Sequence, residues 1–147
     1  MKVLGIDPGG TTGWAVIEDL ELQLAGQVKA DNFHFWLSNL ATDFDVIVVE
    51  DYKIRPDKLI GHYDHAWSSG QTMRFIGALQ YWAYANGIKL ELQQPVIKPV
   101  AAGWTGLPYI KGKKDMHHVD ATLHAAYYLV NRCGVTPGDF KKIHSGK

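Results

Sequence analysis

A chain of 147 residues, 46% of them apolar, has the length of about one domain and an ordinary globular composition, so a single domain over residues 1–147 is expected. Its one cysteine, Cys133, excludes an internal disulfide and a multi-cysteine zinc site, and no apolar run is long enough to span a bilayer. Formal net charge is zero, but residues 1–97 carry 7 Lys and Arg against 12 Asp and Glu, while residues 98–147 carry 8 against 3. The basic final third suits a polyanionic partner and equally a solubilising tail. The start "MKVLGIDPGG" has no secretory apolar core, which points to the cytoplasm.

In chain order, "KVLGID" predicts a strand that stops at the glycine-dense turn "PGGTTG", and "WAVIEDLELQLAGQVKA" predicts two more, giving a three-strand antiparallel meander. "DNFHFWLSNLAT" has Asp31 as a cap signal and Phe33, Trp36, Leu37 and Leu40 at helical spacing, so it reads as a crossover helix. It leads into "DVIVVE", whose unalternating β-branched residues predict a strand covered on both faces and parallel to the first. Residues 53–70 are polar, aromatic and rich in His, Gly and Ser, which predicts irregular structure. A long helix from Thr72 to Asn86 follows, with one stripe of Met73, Ile76, Gln80 and Ala83 and another of Phe75, Leu79 and Trp82, implying burial on two sides. "IKLELQQP" is a fifth strand, "VIKPVAAGWTGLPYIKGKKD" a loop or short helix, and the last helix runs from about Lys114 to Cys133 with Gly134 as its cap. The whole is an α/β fold with a mixed five-stranded sheet, three antiparallel strands followed by parallel ones, flanked by helices.

Three places put carboxylates where a core would rather have none. Asp7 ends the first strand and Glu50 the fourth, and the carboxyl ends of parallel strands are where open α/β sheets bind ligands. Asp120 falls beside the apolar stripe of Met116, Val119, Leu123, Ala126, Tyr127 and Val130, with His117 three residues before it and His124 four after on the same flank. Each admits a bland reading: a turn Asp, a solvated strand end, a structural His–Asp hydrogen bond. Brought together across the ends of adjacent parallel strands, three carboxylates would repel unless divalent cations neutralised them, and an oxygen-rich set favours Mg²⁺ or Mn²⁺ over zinc. Two such ions suit phosphodiester hydrolysis.

"LGIDPGGTTGWAVI", "VIVVEDY" and "HHVDATLHAAYYL" together resemble the RuvC-like Holliday junction resolvases of the RNase H-like superfamily, especially their compact bacteriophage forms. The resemblance implies an RNase H-like fold, two Mg²⁺ ions with Mn²⁺ as a substitute, and a homodimer that cuts four-way DNA junctions. A bacteriophage origin would place it in the bacterial host cytoplasm. It implies further that Asp7 bridges both ions, that Glu50 and Asp120 are further ligands, and that His117 fills the fourth place. The adjacent His118 leaves the register open by one, with the spacing to Asp120 favouring His117. Lys98, Lys113 and Lys114 fall where the family has basic residues facing the phosphate backbone, and the helix Thr72 to Asn86 suits a dimer interface. Competing readings are an RNase H-like nuclease acting on RNA or an RNA/DNA hybrid, a non-catalytic nucleic-acid-binding module, and the phosphate loop of an actin- or sugar-kinase-like ATPase. The last needs two domains around its nucleotide, and the chain is short for that.

Overall fold

A computed structural model describes residues 1–52, 63–110 and 115–142. Strands β1 (Lys2–Asp7), β2 (Thr11–Glu18) and β3 (Glu21–Lys29) form the meander, and helix α1 (Phe33–Ser38) crosses to β4 (Val46–Glu50). Helix α2 (Tyr63–Ala85) leads to β5 (Lys89–Gln93), followed by α3 (Lys98–Thr105) and α4 (His117–Cys133). The strand order is β3-β2-β1-β4-β5, antiparallel among the first three and parallel from β1 through β4 to β5. This is the mixed five-stranded sheet that the sequence predicts. No described helix is long and apolar enough to cross a membrane.

β4 lacks alternation because both of its faces are covered. Ile47 and Val49 join Phe33, Phe75 and Leu79 beneath α1 and α2, whereas Val46 and Val48 join Ala125, Leu129 and Phe140 beneath α4. The first core is keyed by Phe33 stacked on Phe75 with ring centres 4.0 Å apart.

Two helices differ in detail from what the sequence predicts. α1 has only six residues, and Asp31 does not cap it; Ser38 Oγ and Asn39 Nδ2 both donate to the Phe35 carbonyl at 2.8 Å and end the helix there. α2 begins at Tyr63, so residues 63–70 are helical rather than irregular. Its first turns have no apolar period to read: in residues 67–72 the buried positions are Ser69 and Thr72, and Ser69 Oγ lies 2.7 Å from Tyr52 Oη. Further along, Phe75, Ile76, Leu79 and Ala83 merge into one buried stripe, while Met73, Tyr81 and Tyr84 are exposed. Within this chain α2 therefore buries one face, the one set against the sheet.

α4 lies directly on the sheet because two glycines admit it. A Cβ on Gly5 of β1 would overlap the Ala121 carbonyl, and one on Gly13 of β2 would overlap that of His117. Glycine there is a packing requirement of the helix above. Nothing crowds Gly10 in the β1–β2 turn, and only the Thr11 carbonyl lies near Gly9.

Candidate nuclease site

The parallel ladder sets three polar side chains in a row. Ile6 pairs with Val49, so Asp7 and Glu50 follow side by side at the ends of β1 and β4, and Glu50 pairs in turn with Gln93 at the end of β5. Period-2 alternation turns Glu50, like Val46 and Val48, toward α4. Asp51, the second acid of "VIVVEDY", lies apart from it: its N–H bonds the Gln93 carbonyl at 2.7 Å and its carboxylate accepts from Gln94 Nε2 at 3.1 Å.

α4 lays one flank over that row. His117, Asp120 and His124 stand at i, i+3 and i+7 and share a face. His117 Nδ1 lies 3.0 Å from Asp7 Oδ2. His124 is fully buried, with Nε2 2.8 Å from Glu50 Oε2 and Nδ1 2.9 Å from Gln93 Oε1. The His118 side chain makes no hydrogen bond among the described residues; its carbonyl accepts from Thr122 Oγ1 at 2.8 Å.

Lys98, at the start of α3, completes the cluster. Its ammonium sits 3.0 Å from Glu50 Oε2 and 3.1 Å from Asp120 Oδ2, and 5.9 Å from the centre of the Tyr109 ring. Expected to face phosphate, Lys98 here bridges two of the acids. Lys113 and Lys114 lie outside the described residues.

The environment pushes the two strand-end carboxyls in opposite directions. Burial raises the Asp7 pKa and the Glu50 charge adds to that; the His117 hydrogen bond and the Lys98 charge oppose without cancelling it. Burial would also raise Glu50, but the His124 hydrogen bond and the charges of His124 and Lys98 hold it below its ordinary value. His117 is raised by its bond to Asp7 against a smaller effect of burial. Lys98 is raised strongly, because Glu50 and Asp120 outweigh the burial of its ammonium. Asp7 and His117 both shift upward although they are partners; the nearly complete burial of the carboxyl accounts for it.

Three carboxylates and an imidazole form a hard, oxygen-rich donor set that fits Mg²⁺ or Mn²⁺. The cluster's demand for positive charge is visible in Lys98, which is drawn between two of its members. Among the described residues no three His, Asp or Glu side chains close on one point as a ready coordination shell. A cleft of about 540 Å³ opens on the other face of the sheet beneath Trp14, Leu24, Phe35 and Trp36. Among the described residues its charged lining is Lys2 and Glu18, with no acid pair to hold a cation.

Solved structures share this fold. RuvC of Thermus thermophilus in complex with a Holliday junction substrate superimposes with a TM-score of 0.62 at 20% identity, covering 92% of this chain and 98% of that one. A second T. thermophilus RuvC structure gives 0.60 at the same identity and coverage. The fold is that of the RuvC-type Holliday junction resolvases. The fowlpox virus resolvase, in complex with Holliday junction DNA, shares the resolvase fold at a TM-score of 0.55 and 13% identity, over 89% of this chain and 98% of that one. No protein-family model and no curated protein sequence matches the chain.

The roles of Gln93 and His124 within the cluster were missed by sequence reasoning. A signal existed: His124 interrupts "ATLHAAYYLV", and a histidine in so apolar a run must find partners for both nitrogens.

Proposed function

We propose that this chain is a divalent-metal-dependent endonuclease of one domain, residues 1–147, that resolves Holliday junctions or other branched DNA as a homodimer in the cytoplasm. The observation that carries the reading is the meeting of Asp7 and Glu50, at the ends of adjacent parallel strands, with His117 and Asp120 of α4, on a resolvase fold. Asp7, Glu50, His117 and Asp120 are the residues that would hold two Mg²⁺ ions. The chemistry the ions would supply there is stabilisation of the charge that develops on the attacking water and on the leaving oxygen in phosphodiester hydrolysis. Asp7 and Glu50 are held on rigid strand ends, and His117 keeps the Asp7 carboxyl oriented. Lys98, Lys113 and Lys114 are assigned to the phosphate backbone, Lys98 turning from the acids toward the anionic substrate. The exposed row of Met73, Tyr81 and Tyr84 on α2 is the surface assigned to the second subunit.

The test incubates purified protein with a labelled four-way junction, a linear duplex and an RNA/DNA hybrid, each with Mg²⁺ or chelator. Cleavage of the junction only with Mg²⁺ is expected. Cleavage unchanged in chelator would remove the metal, and cleavage of the hybrid but not the junction would reassign the substrate.

A further inference from the structure

His124 is the one member of the cluster with no exposure, and both of its ring nitrogens are committed. A carboxylate accepts and does not donate, so Nε2 carries a hydrogen and gives it to Glu50 Oε2. Nδ1 is met by the Gln93 amide, a group able to pair with a ring nitrogen in either state. Gln93 is itself fixed: its side chain is buried, its residue pairs with Glu50 in the β4–β5 ladder, and its carbonyl takes the Asp51 N–H at 2.7 Å. Two neighbouring strand ends are thus tied a second time through a ring supplied by α4.

Packing alone does not call for this. Leu123, Ala125 and Ala126 flank the position, and an apolar side chain would fill it without the cost of burying a polar ring. The hydrogen bonds have a directional consequence. His124 Nε2 and Lys98 Nζ both fall on Oε2 of Glu50, so Oε1 carries neither. A carboxylate whose one oxygen is pinned by a buried ring cannot rotate about its last bond, and its other oxygen keeps one direction. Lys98 comes from a long flexible chain, whereas His124 is held in the core on a helix seated against Gly5.

We infer that His124, itself oriented by Gln93, is a positioning residue that locks the Glu50 carboxylate so that Oε1 is presented to a divalent cation. The inference rests on the reading of Glu50 as a metal ligand. Partners of this kind behind a ligand are worth about 10–100-fold in metal affinity.

Mn²⁺ binding to the full-length protein, measured by calorimetry without DNA, tests it alongside thermal unfolding in chelator. His124→Leu is expected to weaken Mn²⁺ binding by about 10-fold or more, and Gln93→Leu, which frees the ring but keeps it, by a smaller factor. His124→Gln, whose amide reaches the place of Nε2, should recover most of the affinity. Junction binding in chelator should stay unchanged in all three. Wild-type Mn²⁺ affinity in His124→Leu would overturn the inference while leaving the nuclease reading intact. Equal losses in His124→Leu and His124→Gln, tracking equal drops in melting temperature, would make His124 a packing residue and overturn it too. Should His124→Leu fail to fold, Gln93→Leu decides, and unchanged affinity there counts against the inference. Mn²⁺ binding that is indifferent to Glu50→Gln would bring down both readings.

Discussion

Gly13 lies so close beneath His117 that a Cβ there would occupy the space of the His117 carbonyl. The first turn of α4, which carries His117 and Asp120, is therefore set by the absence of a side chain on β2. Gly13→Ala should lift that turn, costing about 1–3 kcal/mol of stability and a larger share of cleavage activity. Gly10→Ala, with open space around it, should stay within about 0.5 kcal/mol of wild type and keep its activity. Thermal unfolding and junction cleavage of the two variants, side by side, check this; equal effects would mean that the close approach does not position the site.

Removing the charge of Asp7 should separate stability from function. Burial already works against its ionised form. Asp7→Asn should thus melt no lower than wild type in chelator, still bind the four-way junction, and lose cleavage by about 10²-fold or more. Asp120→Asn should likewise bind without cutting. Gel-shift and cleavage assays on the same preparations check both, and retained cleavage in either would take that carboxylate out of the chemistry.

The strand-end acids were legible in the sequence because their setting is local. Val46–Val49 read as a doubly covered strand, so Glu50 fell at its carboxyl end, and Asp7 followed from the turn after "KVLGI". His117 and Asp120 were legible from helical spacing. What escaped depends on partners distant in sequence. The early turns of α2 are polar, and Ser69 meets Tyr52 seventeen positions away. The destination of Lys98 follows from how α3 docks beside α4, and that of His124 from the neighbouring place of β5 in the sheet. The roles of Gly5 and Gly13 depend on a helix more than a hundred positions later. Fold-level pattern thus located the acids and left the groups that orient them to tertiary structure.

The His117–Asp7 contact gives metal-free protein a defined pH response. The folded-state pKa of His117 is raised above its ordinary 6.5, so its contribution is fully present below 6.5 and is lost as pH rises through the raised value. Asp7, also raised, likewise disfavours folding as pH rises, but in the acid range, where the lowered Glu50 acts in the opposite sense: its contribution is fully present above its ordinary 4.5 and is lost as pH falls through the lowered value. The clean limb is the one above 6.5. Melting temperatures in chelator should therefore fall from about pH 6.5 upward, and His117→Gln should flatten that limb. A limb unchanged in the variant would assign the response to another group.

Lys98 makes the last prediction, because it holds two carboxylates together at 3.0 and 3.1 Å with little exposure of its own. Taking away the ammonium leaves Glu50 and Asp120 facing each other without their bridging cation. Lys98→Met should lose about 1–3 kcal/mol in chelator. On the proposed reading a divalent ion would supply the missing charge at the same acids, so Mn²⁺ should raise the melting temperature of the variant more than that of wild type. Cleavage should still fall, since the variant has no ammonium to offer the substrate phosphate. A Mn²⁺-induced shift no larger than that of wild type would show that the lysine and the ion do not answer the same demand for charge.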